Sequence, residues 1–312
     1  MRRTLSLGLA PLFALAACSD DGGSTPTIDA PMVENPGFVL PTAVTKANQE
    51  TGGAWMEIGD ANWSCLNTPS ADQPSTQAIA LSGEVRDFQN NTGVGAATVT
   101  AFPGIMLSGN SGMATSDNVA ATRGDFSMTL AQLPAGTTRF GFKLEATGSL
   151  KTYLLNQYFD PAAATQTRNI SIVSESTANA LPALVGINRD PAKGVLAGAM
   201  RDCDGNEVSN AVATVSSTQG SVTHLTGARS YYFSEDTGLP ARNSSEPVIS
   251  PNGLFVVLEL PPQTAPAFIQ VWGFPTAADL AMGAAGLKLL AELASPVEGN
   301  AVITGSIEPK RM

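Results

Sequence analysis

The feature that most constrains this chain is an internal repeat. One copy begins Ala80-Leu81-Ser82-Gly83-Glu84-Val85-Arg86-Asp87, the other Val195-Leu196-Ala197-Gly198-Ala199-Met200-Arg201-Asp202. Gly83 pairs with Gly198, and Arg86-Asp87 with Arg201-Asp202, without a gap. A polar turn follows each, Gln89 to Gly93 and Asp204 to Glu207, and then Ala97-Thr98-Val99 matches Ala213-Thr214-Val215. Gly124-Asp125-Phe126 and Gly253-Leu254-Phe255 open a further run in each copy, which closes on Leu133-Pro134 or Leu260-Pro261. A chain that repeats such a pattern must fold as two copies of one unit.

Each unit reads as β structure. Phe140, Phe142 and Leu144 alternate with Gly141, Lys143 and Glu145, the period of a strand with one buried face. Short apolar runs separated by Gly, Pro, Asn and Asp fit an all-β sandwich. The segment Ala277 to Ala294 competes as a helix on composition. Gly283 and Gly286 interrupt it, and alignment with Leu150 to Phe159 favours a loop followed by a strand over Leu287 to Leu293.

The order Leu-x-Gly-x-Val-x-Asp, polar turn, Ala-x-Val, Gly-x-Phe and Leu-Pro resembles the carboxypeptidase regulatory-like domain family. That resemblance covers roughly residues 79–174 and 194–312. It implies an all-β fold of two tandem Greek-key sandwiches, transthyretin-like (prealbumin-like). It also implies a non-catalytic binding or spacer role, though a fold alone does not fix function.

The N-terminus has the form of a secretory leader. Arg2 and Arg3 precede an apolar run from Leu5 to Ala17 that is too short to span a bilayer, which needs about 20 apolar residues. It ends in Leu15-Ala16-Ala17-Cys18, which resembles the lipobox of bacterial lipoproteins. The resemblance implies cleavage before Cys18 and acylation of that residue, with the membrane as partner through the anchor. Ser19 beside it favours the outer membrane by the same resemblance; an ordinary signal peptide is the alternative.

The expected organisation is therefore a signal peptide at 1–17, a flexible tether at 18–35 and an irregular segment at 36–78. Sandwich one occupies 79–174, a linker 175–193, and sandwich two 194–312. Losing Arg2 and Arg3 takes the formal charge from −10 to −12, because all 27 acidic side chains remain against the rest of the 17 basic ones. So acidic a chain lacks the cationic surface that phosphate neutralisation demands, so no nucleic acid partner is expected. Anionic headgroups are disfavoured likewise. The remaining cysteines, Cys65 and Cys203, are an even number in an oxidising compartment, and a disulfide between them is one reading.

Little points to chemistry. His224 is the only histidine. A zinc carboxypeptidase needs two histidines and a glutamate, and an intradiol ring-cleaving dioxygenase needs two histidines and two tyrosines; neither set exists. A serine triad would have to use His224, which lies in a strand-like run, Gly220 to His224, without a nucleophile elbow. Asp202-Cys203-Asp204-Gly205-Asn206-Glu207 faintly resembles a calcium loop, but its acids crowd one turn, and Asp-Gly is a hairpin signal. Neither metal nor cofactor is expected. Tyr231-Tyr232-Phe233, in the insert of the second copy from Ser216 to Ser250, could form a sugar-binding platform with Trp272. The competing reading is a strand that buries Tyr231 and Phe233 and exposes Tyr232. Trp55 and Trp63 are expected to clamp the segment before the repeats onto a sandwich. The sequence thus supports a non-enzymatic envelope lipoprotein whose partner is an envelope protein or a polysaccharide. A glycan-binding protein and an unrecognised hydrolase are the alternatives.

Overall fold

A computed structural model describes residues 39–312, so the expected signal peptide, the proposed acylation site Cys18 and the expected tether lie outside the described residues. A hairpin comes first, β1 (Lys46–Thr51) and β2 (Ala54–Asp60). The first copy contains β3 (Ile79–Asp87), β4 (Thr98–Pro103), β5 (Gly112–Thr115), β6 (Asp125–Leu130), β7 (Phe140–Glu145), β8 (Lys151–Gln157), β9 (Thr165–Thr167) and β10 (Ile170–Ile172). Helix α1 (Glu175–Leu184) leads to the second copy. That copy contains β11 (Gly194–Met200), β12 (Glu207–Ser209), β13 (Val212–Ser216), β14 (Arg229–Phe233), β15 (Pro240–Ala241), β16 (Leu254–Leu260), β17 (Ala267–Gly273), α2 (Ala277–Ala281), β18 (Lys288–Ser295) and β19 (Ala301–Ile307).

The fold is all-β, with both copies built as sandwiches. In each, the first strand pairs antiparallel with the strand after the Gly-x-Phe turn, β3 with β6 and β11 with β16. The facing sheets run β4–β7–β8 and β13–β17–β18 in the same order. The repeat holds at atomic detail. Gly83 stands opposite Phe126, and Gly198 opposite Phe255. Val85 N–H donates to the Gly124 carbonyl at 2.8 Å, and Met200 N–H to that of Gly253 at 2.9 Å. Both turn glycines have positive φ, +98° and +71°, and a Cβ on either would press the carbonyl of Val85 or Met200. Only glycine takes this conformation and this approach without strain. The Leu-Pro match is looser: register aligns Leu260 with Leu130, the end of β6, and Leu133 lies three residues beyond it.

The two sandwiches share one continuous nine-stranded sheet, ordered β15-β14-β16-β11-β19-β8-β7-β4-β5. Its centre is β19, parallel to β11 on one side (Val195↔Val302 through Met200↔Ile307) and to β8 on the other (Ala301↔Lys151 through Gly305↔Leu155). Strand alternation then sends side chains to two cores on opposite faces. Val99 and Ala101 of β4, with Phe140, Phe142 and Leu144, pack under β3 and β6. Phe102 of β4, with Tyr153 and Leu155 of β8, enters the second core beside Ala213, Ile269, Val271 and Ile303. Side chains of the first copy thus complete the interior of the second.

The stretch 175–193 is not a plain connector. Ser174 caps α1 by accepting from Thr177 N–H. Ala178 packs with Val173 and Val302, while Val185 and Ile187 cover the outer side of β14 and β16 at Tyr231, Phe233 and Val256. Residues 277–294 combine both sequence readings: one turn-and-a-half of helix, a 3₁₀ turn over Gly283–Gly286, then β18.

Candidate functional site

The segment before the repeats is fastened to the second copy. Strand β1 pairs with β12 through Lys46↔Ser209 to Asn48↔Glu207, and Val44 bridges to Phe274. Cys65 and Cys203 are disulfide-bonded, with Cα atoms 5.8 Å apart. Beside them Asn62 N–H donates to Asp202 Oδ2 at 3.0 Å, and Cys203 N–H donates to the Asn62 carbonyl at 3.0 Å. The C-terminal tail joins the same knot. Asn67 N–H donates to the Lys310 carbonyl, Met312 N–H to that of Thr68, and Arg311 Nη1 to that of Cys65.

An ionic clasp ties this knot to the first copy. Arg139, immediately before β7, donates from Nε to Asp72 at 2.8 Å and from Nη2 to Glu308 at 2.8 Å. Burial alone would lower the pKa of this guanidinium; the carboxylates of Glu308 and Asp72 outweigh it and raise the pKa. Three distant parts of the chain therefore meet on one side chain.

The Asp202 turn is structural. Asp202 is buried; its Oδ1 accepts from the N–H groups of Asp204 and Asn206 at 3.0 and 2.9 Å. Asp87 does the same in the first copy, accepting from Gln89 and Asn90 N–H. Oδ2 of Asp202 accepts from Asn62 N–H at 3.0 Å and from Asn206 Nδ2 at 3.4 Å, so all four acceptor positions of the carboxylate are engaged within the protein. No group of His, Cys, Asp and Glu among the described residues is arranged to hold a metal.

His224 lies in a loop rather than a strand. Its Nδ1 accepts from Val215 N–H at 3.0 Å, which places the proton on Nε2, 3.1 Å from the Ala228 carbonyl. Burial lowers its pKa, opposed by the bond to Ala228. Both ring nitrogens are engaged by backbone, whereas a triad needs one for the nucleophile and one for the orienting acid.

The aromatic platform does not form. Tyr231, Tyr232 and Trp272 are 0%, 1% and 7% exposed. Tyr232 points into the second core and accepts from Ala213 N–H at 3.1 Å. Tyr231 points the opposite way, under Val185 and Ile187. Trp272 donates from Nε1 to Thr214 Oγ1 at 3.1 Å. The expectation of an exposed Tyr232 also fails, because β14 is covered on both faces, by the second core and by the stretch after α1.

Sequence reasoning missed two surface features. One is an open polar cleft of about 760 Å³ among the turns at one end of the first sandwich, lined by Glu84, Asp87, Asn90, Arg123 and Asp125. The other is the β1–β2 hairpin. Trp63 packs on the second core as expected, but Trp55 does not join that core: it stands half-buried in a strand whose other residues are all exposed. Met56 and Ile58 are 55% and 53% exposed. The Thr51-Gly52-Gly53-Ala54 tip was the available signal, a glycine turn between two polar-apolar runs.

No family model and no curated protein sequence matches this chain. Among solved structures it is similar to the shaft pilin SpaA of Lactobacillus rhamnosus GG, with 10% identity over 75% of this chain and 98% of that one, TM-score 0.20. A streptococcal ancillary pilin matches with 12% identity over 76% of this chain and 64% of that one, TM-score 0.19. The 3-chlorocatechol 1,2-dioxygenase of Rhodococcus opacus 1CP matches with 14% identity over 41% of this chain and 72% of that one, TM-score 0.21. The sandwich assignment rests on the strand pairing of this chain itself.

Proposed function

We propose that this chain is a non-enzymatic, lipid-anchored module of the bacterial cell envelope, exported, acylated at Cys18 and held at the outer membrane. There it acts as a rigid binding, adhesion or spacer body. The observation that carries this reading is the shared strand β19, which makes two sandwiches into a single block. Two modules on a flexible linker could reorient; two modules with a common sheet and a common core hold whatever they bear at a fixed spacing. The disulfide at Cys65–Cys203 suits an oxidising compartment outside the cytoplasm. The resemblance to carboxypeptidase regulatory-like domains supports the same role, and the binding partner in this reading is an envelope protein or polysaccharide. No cofactor enters it.

Crosslinking in intact cells, followed by partner identification, tests the association. Recovery of one envelope component in fixed stoichiometry supports it, and crosslinks indistinguishable from those of an unrelated envelope protein contradict it. The anchor is tested by Cys18→Ala. The variant should leave the membrane fraction or persist as the uncleaved precursor; a processed form retained normally in the membrane would overturn the anchor.

A further inference from the structure

We infer that the open cleft at the turn end of the first sandwich binds a segment of a partner protein through an arginine or lysine side chain, with Asp87 and Asp125 as the accepting carboxylates. This deepens the binding role proposed above and rests on it.

The two copies treat one aspartate differently. Asp87 and Asp202 hold the same place in the repeat, and each caps its turn through Oδ1, which accepts from two backbone N–H groups. Oδ2 of Asp202 is filled by Asn62 N–H and by Asn206 Nδ2, so a segment from outside the repeat completes its hydrogen bonding. Asp87 is only 8% exposed, yet its Oδ2 has no hydrogen-bond partner among the described residues. The next residue does not make up the difference. Phe88 N–H, the counterpart of Cys203 N–H, donates to the Ile172 carbonyl within the first copy itself. A carboxylate largely withdrawn from water is stabilised when its free oxygen meets a donor, above all a charged one.

Asp87 lines the cleft of about 760 Å³, far more than the roughly 30 Å³ of one water. Three carboxylates, Glu84, Asp87 and Asp125, face it against the single guanidinium of Arg123. Glu84 Oε2 is paired with Arg86 at 2.7 Å, but the Asp125 carboxylate has no partner among the described residues. Arg123 neutralises none of them; it donates from Nε to the Gly93 carbonyl at 3.2 Å. One wall is also fixed in place. Gly93 lies so close to the Arg123 carbonyl that a Cβ would overlap it. The acceptors therefore stand ready before anything binds, which lowers the ordering cost of binding.

Such a site calls for hydrogen-bond donors that carry positive charge. Guanidinium and ammonium groups offer five and three donors and no acceptor, and only charged side chains of a protein combine the two properties. A sugar ring would find no aromatic face, because none lines the cleft. Among the described residues no group of carboxylates is arranged to hold a metal.

The test follows backbone amide resonances of the full disulfide-bonded chain during titration with acetyl-Gly-Arg-Gly-amide. The signals of Asn90, Gly93, Asp125 and Ser149 should move saturably. Acetyl-Gly-Gln-Gly-amide should bind at least about tenfold more weakly, the loss expected when a charge-assisted hydrogen bond is removed. Asp87→Asn keeps an oxygen for the N–H groups of Gln89 and Asn90 but replaces the free oxygen by an amide, and should weaken the arginine peptide about tenfold. If that variant disturbs the turn, Asp125→Asn, whose carboxylate bonds to nothing, carries the same test. Absence of saturable shifts, equal binding of the two peptides, or unchanged affinity in these variants overturns the site. Movement of the same signals by maltose and not by the arginine peptide overturns it in favour of a saccharide. A partner crosslinked in cells equally by the wild type and by Asp87→Asn overturns the cleft while leaving the binding role standing.

Discussion

The two copies close their sandwiches differently. In each, the last strand lies parallel to the first. In the second copy this is the unbroken β19, and in the first it is split into β9 and β10 around Arg168 and Asn169. At the break Arg168 N–H donates to the Ser82 carbonyl, and the Asn169 side chain accepts from Glu84 N–H. The Arg168 guanidinium stacks on Phe159 and donates to Gln157 Oε1 at 2.9 Å. The difference follows from what lies beyond each strand. A closing strand at a sheet margin exposes unpaired backbone, and short, interrupted strands limit that hazard. Strand β19 has β8 on its far side, so it has no open edge and can run for seven residues. Fusion of the copies thus does for the second what interruption does for the first.

The largest effect should come from removing the staple that only the second copy carries. Cys65 and Cys203 are 138 residues apart in sequence. On the chain-entropy account a loop of that size is worth about 5 kcal/mol, and measured values are often lower. Cys65→Ser/Cys203→Ser should therefore lower the unfolding free energy by about 3–5 kcal/mol in urea titrations. An unchanged midpoint would mean that the tail and the Arg139 clasp hold the N-terminal segment unaided.

The paired glycines sharpen the comparison further. A Cβ on Gly83 would overlap the backbone carbonyl of Arg168, at the interrupted strand, whereas a Cβ on Gly198 meets the Phe255 ring at 2.8 Å. Backbone in a sheet yields less readily than a ring. Gly83→Ala should cost about 3 kcal/mol and Gly198→Ala about 1–2 kcal/mol, within the range for overpacked cores. Equal costs would show that the two first strands are held alike.

The smallest effect is a pH dependence confined to the second copy. His224 has a depressed folded-state pKa, so the unfolded chain binds its proton first as the pH falls. Its contribution is complete above the unfolded value of about 6.5 and is lost as the pH drops from there through the lower folded value. Thermal midpoints should decline between pH 7.5 and 5.5 in the native chain. In His224→Ala the profile over that interval should be flat about a lower midpoint; an equal slope would assign it to other groups.

Much of the fold was legible because its signals are local. Gly124 and Gly253 mark turns that need positive φ, and the alternation at Phe140, Phe142 and Leu144 marks one buried face. What the sequence concealed depends on contacts between distant segments. Tyr232 reads as a surface residue only while β14 is taken to have one wet face. The stretch at Val185 and Ile187 removes that face, and nothing in its composition says where it will lie. Phe102, Tyr153 and Leu155 likewise pass for outward residues of the first sandwich until β19 brings the second core against them. The candidate site was less legible still. Trp55 and Trp63 are alike in sequence, yet one packs on the core and the other stands on a projecting hairpin.

The account depends most on the two copies being one body, and calorimetry tests this directly. With β19 common to both sandwiches, a heating scan of the disulfide-bonded chain should give a single transition whose calorimetric and van't Hoff enthalpies agree. Two resolved transitions, or a calorimetric enthalpy near twice the van't Hoff value, would show that the copies unfold independently and would contradict the rigid module proposed here.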